Sequence, residues 1–328
     1  MTKRAFLLPV LAACFAVAGH AQDAAPGAPG QPPEHTAPFP NLAIGETREE
    51  MLASFEEAPH LERGVPARAM LEQRRRLDAA LARLEAQRPG TIDAYVVSIA
   101  LDSDPVFARE AREAARVLGA RYGGEGRILA LAGPDGTADD LPHGSIDSLL
   151  VSLARLAEIM DPAEDVLVLY TTSHGLKLGL SYHYGDTGFG ILSPARLKSV
   201  LEELGIERRI LIISACFSGV FVPELASRHT AILTAAASER SSFGCEPEND
   251  WTFFGDALVN RALRQPHSLP EAAREASRMI AGWETERRLL ASLPQSAFGA
   301  GVNDWLPVIE ARMPQVASAP VGRPAAGE

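Results

Sequence analysis

Two residues in this chain combine reactive side chains with a placement suited to nucleophilic catalysis. His174 closes the apolar run "VLVLYTTSHG", and Cys216 closes "RRILIISAC" 42 positions later. A thiolate attacks carbonyl carbon, and an imidazole supplies the proton that the departing group needs. The attack creates an oxyanion, which backbone N–H groups outside regular pairing can hold. Gly175 has no side chain to obstruct such an N–H, and the turn after Cys216 can leave the cysteine's own N–H open. Each residue taken alone has an inert reading. A cysteine after an apolar run is often small core filling, and His-Gly is often a turn. Their joint occurrence at the ends of two successive β units is what points to chemistry.

Those ends must be positioned by strands. "DAYVVSIAL" reads as a strand, "DPVFAREAREAARVLGARYG" as a helix opened by Asp104-Pro105 and closed by Gly123, and "RILALAG" as a second strand. "SIDSLLVSLARLAEIM" presents Leu149, Leu153, Leu156 and Met160 on one helical face. The strand carrying His174 follows, then the helix "ARLKSVLEELG", the strand carrying Cys216, and a fifth strand "TAILTAAA". Short continuous apolar strands alternating with amphipathic helices predict a three-layer α/β fold with a parallel sheet covered on both faces. In such sheets ligands gather at the carboxyl ends of the strands. The spacing from His174 to Cys216 suffices for a helical crossover to an adjacent strand, so both can stand on one rim.

The 328 residues are 46% hydrophobic and 22% charged, enough for a substantial core, and the net charge of -11 predicts no nucleic-acid partner. Lys3 and Arg4, the run "AFLLPVLAACFAVA" and the small residues Gly19 and Ala21 read as a secretory signal cut after Ala21. That implies a periplasmic or secreted protein. "LAAC" offers the alternative of a lipoprotein anchored through Cys14, the one route to a membrane. Residues 22–40 are Pro/Ala/Gly-rich and predict a flexible linker. Residues 41–90 predict a helical extension, with Met70, Leu77, Leu81 and Leu84 at helical spacing before Pro89-Gly90, and they read equally as a propeptide. The main domain spans 91–313, and 314–328 is expected to be a flexible tail. In an oxidising compartment Cys216 and Cys245 also invite a disulfide, which would block the nucleophile. A working nucleophile requires both thiols to be free, or the bond to be a regulatory off-state.

From about Ile92 to Leu263 the sequence resembles the legumain-like C13 cysteine peptidases of the caspase-like fold clan. The resemblance is carried by "VLVLYTTSHG", "RRILIISACFSG" and "TAILTAAASERSSFGCEPENDWTFFGDAL". It implies a caspase-like α/β/α sandwich with a mostly parallel sheet, a polypeptide substrate and no metal or organic cofactor. It also implies Cys216 as nucleophile, His174 as acid/base, and the N–H groups of Gly175 and Cys216 as oxyanion hole. Matching the family's specificity pocket places Arg109, Ser214, Ser241 and Asp250 around the substrate. Ser214 and Ser173 stand where that family has acids, which leaves a preference for asparagine open. Transfer of the acyl group to an amine, or an inactive binding module, are the alternatives.

Plainer readings stand beside these. Arg109 can form a solvated pair with Glu113, and Asp250 can cap a helix beginning near Thr252. Ser241 and Ser242 read as loop residues. His183, in "SYHYGDTG", falls in an expected hairpin as a surface residue. His143, His229 and His267 show no ligand spacing, so no metal site is expected. Ser218 lies in "CFSG" rather than a G-x-S-x-G elbow, against a serine hydrolase.

Overall fold

The computed structural model describes residues 31–133 and 141–327; the expected signal, Cys14 and residues 22–30 of the expected linker lie outside the described residues. In chain order come α1 (Arg48–Ser54), β1 (His60–Glu62), α2 (Ala67–Ala82), β2 (Ala94–Ala100), α3 (Pro105–Tyr122), β3 (Ile128–Leu131), α4 (Ile146–Ile159) and β4 (Val166–Thr172). They are followed by β5 (Gly175–Leu176), β6 (Gly179–Tyr184), β7 (Gly188–Leu192), α5 (Pro194–Glu203), β8 (Arg209–Ser214), α6 (Phe221–Leu225) and β9 (Thr230–Thr234). A π-helical segment (Gly255–Arg261), α7 (Leu269–Glu286), β10 (Gln295–Phe298) and α8 (Leu306–Glu310) complete the order.

The central sheet has the order β10-β9-β8-β4-β2-β3. β3, β2, β4, β8 and β9 run parallel, and β10 joins antiparallel on the outer edge of β9. Alternation along each strand divides the core in two, because successive side chains leave a sheet on opposite faces. Tyr95, Val97 and Ile99 of β2 pack with Leu167, Leu169, Leu211 and Ile213 beneath Leu149, Leu153 and Leu156 of α4 and Leu197 of α5. The residues between them, Val96, Val168, Tyr170, Ile210 and Ile212, face Ala114 and Leu118 of α3 and Ala272, Ala276 and Ile280 of α7. Each of the valine, leucine and isoleucine side chains among them contributes about 1.5–3 kcal/mol by burial. The result is the three-layer α/β/α sandwich with a mostly parallel sheet that the strand and helix alternation predicts.

The chain runs from β2 outward to β3, then crosses back over β2 to lay down β4, β8 and β9 on the other side. The strand order therefore reverses between β2 and β4, the kind of point at whose carboxyl ends open α/β sheets bind ligands. Helix α3 begins and ends on the anticipated signals: Pro105 occupies its first turn, and Gly123 caps its end at φ 65°, a left-handed value that glycine adopts freely. Asp104 stands at its N-cap but makes no side-chain bond to the helix amides.

A second, antiparallel sheet has the order β1-β7-β6-β5. It contains the expected hairpin, β6 and β7, and two strands that the sequence reading did not anticipate. Helix α2 buries Leu77 and Leu81 in the first core cluster while Met70 is exposed. At the other end, Trp251 Nε1 and Asn260 Nδ2 both donate to Val321 O, at 2.8 and 3.0 Å, and Ala325 N donates to Asp256 at 2.9 Å. Among the described residues no helix is long and apolar enough to cross a membrane.

Candidate active site

The two proposed catalytic residues leave neighbouring strands at the same rim. β4 and β8 pair in register up to Thr172 and Ser214, and Ser173 N continues the ladder by donating to Ser214 O at 3.2 Å. His174 and Cys216 are the second residues past these ends. The two turns then touch: a methyl group added at Gly175 would fall on the carbonyl oxygen of Cys216. Glycine is required here by space. Ser181 N donates to His174 O at 2.9 Å, which makes His174 a bonded position of the β5–β6 ladder. Gly175, next along, is then a non-bonded position whose N–H points away from β6.

Cys216 sits on a sharp bend. Phe217 takes φ 57°, ψ 11°, a left-handed conformation that costs a non-glycine residue on the order of 1–3 kcal/mol. Phe217 N donates to Arg240 O at 2.8 Å and Phe217 O accepts from Val220 N at 3.1 Å, which together hold the bend. The half-buried Cys216 sulfur accepts a hydrogen bond from Ser242 N at 3.2 Å and lies 3.6 Å from Ser242 Oγ. Both Cys216 and Cys245 are free thiols.

His174 is oriented from β2 and α3. Its Nε2 lies 3.5 Å from Asp104 Oδ2, and its ring stands edge-on to Phe107 at 5.1 Å between centroids. Its pKa is raised to about 10, first by the Asp104 carboxylate and next by hydrogen bonding with Cys245, against the opposing effect of burial. At neutral pH the ring is therefore an imidazolium. Asp104 in turn is held below the ordinary carboxylate range: burial opposes its charge, but the hydrogen bond from His174 and the nearby His35 outweigh it. The free N-cap carboxylate of α3 is thus committed to histidines. Cys245 packs beside Ala100, Val106 and Phe107.

The residues assigned to the substrate pocket are only partly assembled. Arg109 donates to Pro247 O at 2.7 Å and to Asn249 O, and its Nε lies 3.8 Å from Asp250 Oδ1. Its alternative partner, Glu113, pairs instead with Arg116 and Arg264. Asp250 also meets Arg323 of the chain's end, 3.1 Å away, and that hydrogen bond is the main reason its carboxyl titrates below the ordinary range. The helix that Asp250 was a candidate to cap is capped by Thr252, whose Oγ1 accepts from Gly255 N at 2.9 Å. Ser214 is buried and shares a hydrogen bond of 3.2 Å with Thr252 Oγ1, and Ser241 is exposed. It is Ser242, read as an ordinary loop residue, that touches the Cys216 sulfur.

Glu110 went unnoticed in the sequence because it lies in the charged run "AREAREAAR". It is fully buried and accepts from Tyr170 Oη at 2.5 Å, Thr172 Oγ1 at 2.9 Å and Thr252 N at 2.9 Å. One carboxylate thus ties α3 to β4 and to the loop carrying Asp250. Asp104 carried a usable signal: an acid four residues past the end of β2, at the start of α3, in a parallel sheet.

The segment 150–296, which contains His174 and Cys216, matches the model of the Peptidase C13 family. That match is in keeping with the resemblance carried by the motifs of this segment. No curated protein matches the chain. Among solved structures it is similar to caspase-1 from Spodoptera frugiperda, with 14% identity over 66% of this chain and 88% of that one and a TM-score of 0.40. A structure of pro-sf-caspase-1 is similar at 12% identity over 66% of this chain and 94% of that one, also with a TM-score of 0.40.

Proposed function

We propose that the chain is a cysteine endopeptidase in which Cys216 attacks the carbonyl of a polypeptide and His174 serves as acid and base. The carrying observation is the joining of the two strand ends, with Gly175 packed against the Cys216 carbonyl on one rim. The sulfur adds to the scissile carbonyl, and the N–H groups of Gly175 and Cys216 bind the resulting oxyanion. The imidazolium of His174 gives its proton to the departing amine, leaving a thioester on Cys216. Water then adds to the thioester as His174 takes its proton, and expulsion of the thiolate frees the acid product. An imidazolium stabilised by Asp104 suits the first of these duties, since it carries the proton before the substrate arrives. The Ser242 N–H directed at the sulfur suits stabilisation of a thiolate.

Arg109 and Asp250 form the charged wall of the substrate pocket in this reading, with Arg109 favouring an acidic or amide side chain and Asp250 a basic one. The pattern of residues 1–21 supports action outside the cytoplasm. Hydrolysis of a peptide library by the purified protein, compared with Cys216→Ala, tests the proposal. Activity confined to the wild type is expected, and equal turnover by both would refute it.

A further inference from the structure

Next to His174 lies a second cluster that peptide hydrolysis does not use. Asp102 follows β2, and its backbone is bound to that of His183 on β6: His183 N donates to Leu101 O and Ser103 N to His183 O, both at 2.9 Å. His35 is brought over this pair by residues 33–37. Ser103 Oγ donates to Pro33 O at 2.9 Å, and Thr36 N and Ala37 N both donate to Asp186 Oδ1 at 2.8 Å. The His35 and His183 rings stack, with centroids 3.5 Å apart and planes 19° from parallel.

From this cluster we infer a binding site for a divalent transition metal of the zinc class, with His35, Asp102 and His183 as ligands. One ligand atom from each lies within 4.8 Å of the others. Around zinc, with bonds of about 2.1 Å, tetrahedral ligands stand about 3.4 Å apart, so the three need to close by little more than an ångström, and the stacked rings must also turn out of parallel to bring both in-plane lone pairs onto one ion. His35 Nδ1 lies 3.3 Å from Gly185 O, which assigns the proton to Nδ1 and turns Nε2 inward, the outer-shell arrangement of ligating histidines. Two imidazoles and a carboxylate form a donor set that suits zinc. Asp104 Oδ1, 3.6 Å from His35 Nε2, stands ready to receive a hydrogen bond from a water in the fourth position.

A hydrogen bond between His35 Nε2 and Asp102 Oδ1, at 3.0 Å, accounts for only part of this cluster. The Asp102 side chain is wholly buried, yet its Oδ2 has no partner among the described residues, and neither does the buried Nε2 of His183. Leaving such groups unmet costs about 1–3 kcal/mol each. One cation satisfies both and releases a proton to solvent from any imidazole it finds protonated at the ligating nitrogen. The ion would also fasten residues 33–37 beside the catalytic histidine. No sequence spacing announces the site, because its two histidines are 148 positions apart.

The test uses the full chain, stripped of metal and titrated with Co²⁺ followed by absorption and with Zn²⁺ followed by calorimetry. The wild type should bind one ion and show the visible ligand-field bands of four-coordinate Co²⁺. Loss of a ligand should weaken binding by more than the roughly 10–100-fold that removal of an outer-shell partner costs. His35→Ala and His183→Ala should both show this loss. Because His35 lies on a coil segment outside both sheets, circular dichroism of His35→Ala should match the wild type. Cys216→Ala and Cys245→Ala should bind as the wild type does. Absence of binding, binding indifferent to both histidine variants, or a thiolate charge-transfer band lost in a cysteine variant would overturn the inference.

Discussion

Gly175 lies against the carbonyl group of Cys216 with no room for a side chain between them. This contact joins the turn after β4 to the turn after β8 and so fixes the imidazole and the sulfur on one rim. Any β-carbon at 175 must push the two turns apart. Gly175→Ala should therefore lower kcat by about 100-fold or more, the range seen when an oxyanion donor is lost or a reacting group is displaced by an ångström. Its thermal midpoint should fall only modestly, since the strands themselves are untouched. Steady-state kinetics beside a melting curve checks both; an alanine variant with unchanged kcat would show that the close approach has no catalytic role.

Asp104 sets the protonation of His174. The histidine's folded-state pKa of about 10 exceeds its ordinary value of 6.5, so the protonated form is the one that the fold favours. The stability from this pairing is complete below pH 6.5 and is lost as pH rises through about 10. The groups facing the ring are Asp104, Asp102 and Cys245. Asp104→Asn should move the alkaline limb of kcat/KM toward neutrality, while leaving KM near the wild-type value. A pH profile with an unmoved alkaline limb would contradict the assignment of Asp104 as the residue that positions and charges His174.

Glu110 is a buried carboxylate whose three donors lose their acceptor if it is removed. Glu110→Ala should cost at least about 3 kcal/mol, from donors stranded at about 1–3 kcal/mol each. Arg323→Ala should cost less than about 1 kcal/mol, because its partner Asp250 is shared with Arg109 and the arginine is exposed. Urea denaturation of the two variants would measure the contrast. Equal costs would mean that Glu110 does not organise the site from below.

The layers, the parallel strands and both catalytic candidates were legible in the sequence because they rest on local signals. Continuous apolar runs mark buried parallel strands, Asp104-Pro105 and Gly123 mark the ends of α3, and small residues mark the turns. What stayed hidden depends on pairing across long separations. β1 joins β7 through His60 and Gly190, and His35 reaches Asp102 across 67 positions. Glu110 was masked for a related reason: its helical run shows alternating charge, and only the tertiary fold reveals which of those charges turns inward. Ser242 was visible only as a loop residue, since its contact with the sulfur is made by a backbone N–H that any residue but proline supplies.

The central claim is that Cys216, rather than the nearby Cys245, is the thiol that attacks substrate. It is tested most directly by treating the reduced protein with an electrophilic peptide ketone and locating the adduct by mass spectrometry. A single adduct on Cys216, formed far more slowly in His174→Ala, is the predicted result. An adduct on Cys245, or labelling of Cys216 at the same rate without His174, would contradict it.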